Sequence, residues 1–433
     1  RIMTITNIIS AIGNNSSIYP LLVRDCCIEA PSKILIARRE NSKESQIKAN
    51  DATREKIIDE YVTSAIWLGG IPAVEKLADK YISKKGYNPN VNIKLFGEGK
   101  KEGSSLVQGI EYNIKKFSQY SNKDVQDAVA DLIKVRDNKA IYEKFLTKKF
   151  AAATIIPTLI MGFVLPKLNF ALTRKVKENR NTQLPLNVPT KSFTSLNRTK
   201  FSDFYEKQNK DIVFTGGLTS TIASLRTVDK MAISDGGLTV GRVSTSRNKE
   251  EGYANAFRMI GSMILNFVTP VYIAKGLDKL ANKLFKINVN LDPLILDNEE
   301  FISAIKENKI ELPKSNSPKD LMDFIDSKPN SLFSKFAQKM KKVSYLKSGI
   351  RDPRKFVDIN DLSDFKTEFE SFIDSARASK NIEKFAKKAK YVKCANILAN
   401  VGISSFLLAG VLPAATYKFI KLTTGSYSDP GLK

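Results

Sequence analysis

The sequence predicts a mainly α-helical protein whose membrane-associated core is duplicated and built from apolar helices kinked at prolines. Three observations lead to this fold class. Four long segments lack charged residues, each carries a proline near its C-terminal end, and short motifs recur in the same order in both halves of the chain. The segments are Tyr61–Val74, Phe150–Pro166, Met259–Ala274 and Cys394–Tyr417, and the prolines are Pro72, Pro166, Pro270 and Pro413.

Residues 1–55 are predicted to form a small N-terminal β-hairpin followed by a charged linker. Two apolar runs, Tyr19–Val23 and Ile34–Ala37, flank Glu29–Ser32, whose Pro and Ser residues are typical of turns. Residues 40–55 are charged and polar, which indicates either a loop or the start of a helix.

Helical patterns dominate the rest of the chain. Asn122 is expected to cap a helix, and Ser317 followed by Pro318 is typical of a helix start. Apolar residues recur at helical spacing after Asn122 and again from Phe365 to Ile373, which indicates helix faces that pack into a core.

Motifs around the prolines predict that residues 56–175 and 254–422 are two copies of one helical repeat. Lys76–Ile82 after Pro72 matches Lys279–Phe285 after Pro270. Glu143–Phe145 and Glu383–Phe385 precede the second and fourth apolar segments in the same way. Residues 176–253 then form a connector and residues 423–433 a tail.

The duplication makes a geometric prediction. Helical repeats bury equivalent apolar faces against each other, because neither copy covers its own stripe alone. We expect the connector to pack outside the resulting pseudo-twofold axis, with five apolar side chains near that axis: Trp67, Leu68, Leu165, Phe267 and Leu412.

Segment length leaves the relation to a membrane open. A spanning helix needs about 20 apolar residues. Cys394–Tyr417 is long enough, Phe150–Pro166 reaches that length if Leu168–Leu172 continue the helix, and the other two segments are shorter. The linkers between them are all rich in Lys and Arg and give no orientation. Spanning helices, re-entrant or interfacial segments, and buried helices of a soluble protein all remain open.

Composition limits the chemistry. The chain has no histidine, which excludes His-dependent nucleophilic triads and the commonest metal ligand. Its three cysteines, Cys26, Cys27 and Cys394, are too few for a disulfide framework, so we expect reduced thiols in a cytoplasmic compartment. No catalytic residue, metal site or cofactor is predicted, and the pattern favours a protein that is not an enzyme.

The formal charge of +24 predicts an anionic partner. An anionic lipid bilayer is the favoured one, because lysines interleave with aromatic residues at helical spacing around Lys148 and Lys149. No nucleic-acid-binding motif is present, so nucleic acid is less favoured. Protein partners, including a second copy of the chain, are further candidates.

The connector contains the best candidate for a phosphate or lipid-headgroup site. Gly216–Thr219 recurs as Gly236–Thr239, and Arg242, Arg247 and Lys249 follow the second copy. The simpler interpretation is that the glycines end helices and the threonines begin the next ones.

Three functions remain open from the sequence. The leading hypothesis is a non-enzymatic structural or scaffolding protein anchored by the four apolar segments. The alternatives are a transporter or channel with parallel repeats and a soluble basic protein that binds nucleic acid or supports assembly.

Overall fold

The computed structural model describes residues 5–13, 22–97, 107–182, 227–285 and 291–432, and these residues are mainly helical. No β-strand forms among them, although one isolated antiparallel bridge joins Tyr345 and Arg351. The predicted helical class is confirmed.

The predicted N-terminal β-hairpin is wrong over the residues that the structure describes. Val23–Glu29 is π-helical, and Ala30–Ser42 continues it as an α-helix. In the π-helical turn before Pro31 the Ala30 N–H donates to the Asp25 carbonyl five residues earlier, and this wider turn accommodates a residue that has no N–H within a continuous helix. Glu29–Ser32 therefore lies inside a helix, and residues 19–21 lie outside the described ranges.

The helices are numbered here in chain order, and each long helix is counted once even where a π-helical turn interrupts it. In the described residues they are α1 (Ile5–Gly13), α2 (23–42), α3 (46–84), α4 (Ile110–Phe117), α5 (Lys123–Asp137), α6 (139–182), α7 (Thr227–Ser244), α8 (Lys249–Phe285), α9 (Pro293–Leu296), α10 (Glu299–Lys306), α11 (Pro318–Ser327), α12 (Leu332–Lys339), α13 (Ile359–Ala378) and α14 (Ile382–Thr424). The predicted helix starts at Asn122 and Ser317 are those of α5 and α11.

Long helices α3, α6, α8 and α14 form two antiparallel pairs. The first half of α3 contacts the last part of α6, and the second half of α3 contacts the first part of α6. In the same way, the first part of α8 contacts the last part of α14, and the last part of α8 contacts the first part of α14. Together with α2, which packs along α3, and α7, these helices make up the bundle.

A π-helical turn precedes each predicted kink proline. In each case the N–H of the residue before the proline donates to the carbonyl five residues earlier. Proline has no N–H of its own, and its ring would clash with a carbonyl in an ordinary helix, so a wider turn at this point accommodates it. The turns are Ile66–Gly70, Ile160–Val164, Ile264–Val268 and Leu407–Val411. Each proline thus lies within a continuous helix, and an axis kink stays a prediction.

Helix α7 belongs to the bundle, so the prediction that the connector packs outside is wrong for residues 227–244. It contacts α6 and α8. A Cβ on Gly241 would lie 2.8 Å from Gly162 Cα, and one on Gly237 would lie 2.5 Å from Thr158 Cγ2. Gly236–Thr239 therefore lies inside a helix that crosses α6 closely, and does not form caps. Gly216–Thr219 lies outside the described residues.

The segments between the paired helices fold together into a helical head. The described residues between α3 and α6 (85–97 and 107–138) and those between α8 and α14 (291–381) each have an apolar core. Hydrogen bonds connect them: Gln108 Nε2 donates to the Val357 carbonyl at 2.7 Å, and Asn113 Nδ2 donates to the Pro353 carbonyl at 2.9 Å. We call the bundle end next to this domain the head end and the opposite end the charged end.

The repeated motifs do not keep register with the prolines. Lys76 follows Pro72 by four residues, whereas Lys279 follows Pro270 by nine. Because both stretches lie in continuous helices, five extra residues rotate the motif by about 140°. Trp67, Leu68 and Phe267 share one apolar cluster, which does not include Leu165 or Leu412. The duplication stays a prediction, as do the domain boundaries based on it.

Three helices are long and apolar enough to cross a membrane by length and composition: Lys139–Arg180, Lys249–Phe285 and Ile382–Thr424. They contain three of the four apolar segments, and Tyr61–Val74 in α3 is not among them. In the most apolar stretch of Lys249–Phe285 no residue is buried, and in the other two only 33% are. The bundle therefore carries an exposed apolar surface along these three helices.

Candidate functional site: a charged cavity in the bundle

A cavity of about 70 Å³ lies between the bundle helices at the charged end. Its wall is formed where the charge-free segments begin or end. Lys56 and Asp59 precede the segment in α3, and Arg258 precedes the segment in α8. Asn169 and Thr416 lie near the ends of the segments in α6 and α14. Residues far apart in the chain thus meet at one level of the bundle. We call this space the outer cavity.

Arg242 of α7 is buried in the wall of the outer cavity, with 7% of its surface exposed. Its guanidinium group contacts the Asp59 carboxylate at 2.6 Å, and its Nη2 donates to Thr63 Oγ1 at 2.9 Å. The Arg242 Nε–H has no acceptor. One of the two connector arginines predicted to hold a phosphate therefore binds a carboxylate and keeps one donor free.

Arg247, the other predicted connector arginine, also lines the outer cavity and is held by acidic residues. Its two terminal nitrogens lie 3.0 Å from the two carboxylate oxygens of Glu55, and Nη2 lies 2.8 Å from Glu251. Its guanidinium also lies over the Phe170 ring, 4.2 Å from the centroid. This bidentate, stacked arrangement fixes the Arg247 side chain, and the two carboxylates neutralise its charge.

Two further cations in the outer cavity have no carboxylate partner. Neither Lys56 nor Arg258 forms an ion pair within 4 Å with any residue that the structure describes, and Arg258 makes a 3.1 Å hydrogen bond to Asn255 Oδ1. Burial lowers the pKa of Lys56, and the nearby Arg258 lowers that pKa further. Two positive charges thus face one small space without a counter-charge in contact.

Carboxylates also line the outer cavity, and they balance its formal charge. Glu55, Asp59 and Glu251 are held by Arg242 or Arg247, while Asp429 accepts hydrogen bonds from Asn41 at 3.2 Å and Tyr417 at 3.0 Å. The buried Asn169 donates to the Glu55 carbonyl, and its Oδ1 has no donor. The groups left without partners are therefore mostly hydrogen-bond donors.

A second cavity of about 80 Å³, the inner cavity, lies beside the first and shares Asp59, Arg242 and Arg258 with it. It reaches Trp67, whose Nε1–H has no acceptor. Lys33 bridges two of its acids, at 2.5 Å from Glu29 and 3.2 Å from Glu60. Five carboxylates and three cations line it, so it is acidic within a basic protein; the carboxylates belong to Asp25, Glu29, Asp59, Glu60 and Asp235.

Two of these carboxyl groups differ in their partners. The Asp25 carboxylate lies 3.4 Å from Arg24 Nε, whereas Asp235 forms no ion pair within 4 Å with any residue that the structure describes.

The remaining predicted site residues lie elsewhere. Lys249 and Lys148 are exposed, and Lys149 contacts Asp79 at 2.5 Å. Lys149 lies 20 residues before Asn169 in α6, which is about 30 Å along a helix. The structure brings Arg242 and Arg247 together but separates both from Lys148 and Lys149.

The proline and tryptophan positions divide between the two halves of the bundle. Pro166 lines the outer cavity, and Trp67 lines the inner one. Pro413 is buried close to the charged end, where it lines a small gap with Lys56 and Arg258. Pro72 and Pro270 lie in the halves of their helices that lead to the head end.

Sequence analysis missed Lys56 and Arg258. A partial signal was present, because Arg258 directly precedes one charge-free segment and Lys56 precedes another by five residues. What the sequence does not show is that the two segments place these charges beside each other. Among the described residues, no group of His, Cys, Asp or Glu side chains is arranged to hold a metal ion.

No protein-family model, curated protein or solved structure matches this chain.

Proposed function

We propose that the protein is a non-enzymatic membrane scaffold, whose bundle spans the bilayer and holds the helical head at its surface. The observation that carries this proposal is the exposed apolar surface of α6, α8 and α14. Six of the large apolar side chains there are each 42–68% exposed, and a soluble protein rarely gathers so much exposed apolar surface on one side. The six are Ile155, Val164, Ile260, Ile264, Leu398 and Phe406.

The spacing of polar contacts supports a bilayer-sized apolar layer. In three of the long helices, a residue that lines the outer cavity and a residue in a polar contact at the head end are 20 positions apart, which is about 30 Å. This equals the thickness of a hydrocarbon core. The pairs are Asp59 and Asp79 in α3, Asn169 and Lys149 in α6, and Arg258 and Asp278 in α8.

Helix order supports a twofold plan for the bundle even though the motifs lose register. The α3–α6 pair and the α8–α14 pair each enclose one part of the head, and both pairs carry a π-helical turn before each central proline. In this arrangement both parts of the head lie on the same side of the bilayer, as the proposed scaffold requires. Anionic lipid suits the lysines of α6 near the head, such as Lys148.

The test inserts a charge at two exposed apolar positions of the same helix. Phe406 is 68% exposed within the apolar layer, and Leu422 is 85% exposed beyond it. An aspartate at the centre of a spanning helix costs about 3 kcal/mol, so Phe406→Asp should reduce membrane insertion, while Leu422→Asp should not. The measurement is retention of the chain in phosphatidylcholine–phosphatidylglycerol vesicles during an alkaline carbonate wash.

Release of the unaltered chain by the wash would refute the proposal. Equal retention of the Phe406→Asp and Leu422→Asp variants would refute lipid cover of α14. Circular dichroism of both variants in detergent checks that the helices form.

The inner cavity favours transport as a second candidate function. Ionisable residues between membrane helices mark pathways for ions or protons, and Asp235 has no ion pair among the described residues. Vesicles containing the chain and a pH-sensitive dye should then show proton flux that Asp235→Asn abolishes and Asp127→Asn, on the exposed face of α5, does not. Flux no faster than in empty vesicles would exclude this candidate for protons.

A further inference from the structure

We infer that the outer cavity binds a phosphate group, supplied either by a lipid headgroup or by free phosphate. Lys56 and Arg258 carry the argument. Both face the cavity, and neither has a carboxylate within 4 Å among the residues that the structure describes. Both side chains are half-buried, and Asp59, Glu60 and Asp429 act on them only from beyond 4 Å. An anion in the space between the two cations would contact both directly and would offset the cost of taking them partly out of water.

The chemistry of the free donors fits a phosphate oxygen. Arg258 offers guanidinium N–H groups, Lys56 offers an ammonium group, and the Arg242 Nε–H beside them has no acceptor. Arg and Lys are the side chains that bind phosphate in proteins, Arg through its planar fork and Lys as a point charge. The carboxylates of Glu55, Asp59 and Glu251 are each held by Arg242 or Arg247, and Asp429 accepts hydrogen bonds from Asn41 and Tyr417. None of these four carboxylates forms an ion pair within 4 Å with Lys56 or Arg258.

Size and position fit as well. A space of about 70 Å³ takes a small oxyanion or a few waters. Lys56 precedes the charge-free segment of α3 by five residues, and Arg258 directly precedes that of α8. If the bundle spans a bilayer, both positions lie at the level of the lipid phosphates. The lipid source rests on the proposed function, whereas binding of free phosphate does not.

The first arm of the test titrates inorganic phosphate into the full chain in neutral detergent by calorimetry. Hydrogen bonds to charged groups predict that Lys56→Met or Arg258→Gln weakens binding roughly ten- to a hundred-fold. Lys249→Gln and Lys148→Gln remove the same charge from exposed positions and should leave binding unchanged. Arg258→Lys keeps the charge, so it should recover part of the affinity and shows that loss in Arg258→Gln is not a folding defect.

The second arm identifies the source. Vesicle-reconstituted chain is solubilised gently and its bound lipid measured, with phosphatidic acid, phosphatidylglycerol and phosphatidylcholine supplied in equal amounts. Enrichment of the two anionic lipids, lost in Arg258→Gln and retained in Lys249→Gln, assigns the site to a headgroup. Saturable binding of inorganic phosphate without such enrichment assigns it to the free ion.

Absence of both kinds of binding overturns the inference, and so does equal loss in the cavity variants and the exposed-lysine variants. These outcomes are independent of the carbonate wash. A chain that resists the wash but binds no phosphate keeps the proposed function and loses this site.

Discussion

The close crossing of α6 and α7 makes a sharp prediction for glycine substitutions. A Cβ on Gly241 would lie 2.8 Å from the Cα and 2.9 Å from the carbonyl carbon of Gly162. Both are backbone atoms, so no side-chain rotation relieves the clash and the helices must separate. Gly276 in α8 is the matched control, because no atom lies within 4 Å of a Cβ built there.

The expected change in the free energy of unfolding follows from two opposing effects. Alanine improves helix propensity over glycine by about 1 kcal/mol at either position, while overpacking costs about 1–3 kcal/mol at Gly241 only. Gly276→Ala should therefore stabilise the protein, and Gly241→Ala should be less stable than Gly276→Ala by about 1–3 kcal/mol. The lost stability comes from the contact between Gly162 of α6 and helix α7.

Thermal unfolding in detergent measures the difference through the fluorescence of Trp67, the single tryptophan. Trp67 packs with Met161 and Leu238, one from each crossing helix, so its emission reports on this interface. Equal stability of Gly241→Ala and Gly276→Ala would refute the close crossing of α6 and α7.

Two further predictions concern other parts of the molecule. Arg351, 1% exposed, contacts Asp326 at 2.7 Å, and Lys116 contacts the same carboxylate at 2.7 Å, so Asp326 keeps one partner when Arg351 is removed. Arg351→Ala should therefore destabilise the head by about 1.5–3 kcal/mol, measured by thermal unfolding and trypsin sensitivity. Glu44 accepts hydrogen bonds from Ser426 and Ser428 of the tail and from Lys48, and these hold its pKa well below the usual range, so Glu44→Gln should speed carboxypeptidase digestion of the tail at neutral pH.

The sequence predicts the helical class well because the apolar patterns are local. The wrong predictions come from residue types that occur both in turns and within helices. Pro31 and Ser32 are typical of a turn, yet a π-helical turn before Pro31 lets the helix continue. Gly236 and Gly237 are typical of a helix end, yet they lie within α7, where Gly237 allows close approach to Thr158.

The candidate site could be predicted only in part, since its chemistry depends on tertiary contacts. Arg242 was predicted from its neighbours in the chain, but its partner Asp59 comes from another helix. Lys56 and Arg258 look like ordinary surface charges in the sequence, and only the arrangement of α3, α8 and α14 around one cavity brings them together. Charge pairing across helices has no local signature in a chain this rich in Lys, Asp and Glu.

The central claim is that lipid covers the exposed apolar surface of α6, α8 and α14. Nitroxide labels on single cysteines, placed in a variant without Cys26, Cys27 and Cys394, measure this directly by their collisions with oxygen and with a water-soluble nickel complex. In reconstituted vesicles, labels at Ile264 and Phe406 should meet oxygen far more often than nickel, and a label at Leu422 should show the opposite. Frequent nickel collisions at Ile264 and Phe406 would contradict the membrane-spanning bundle.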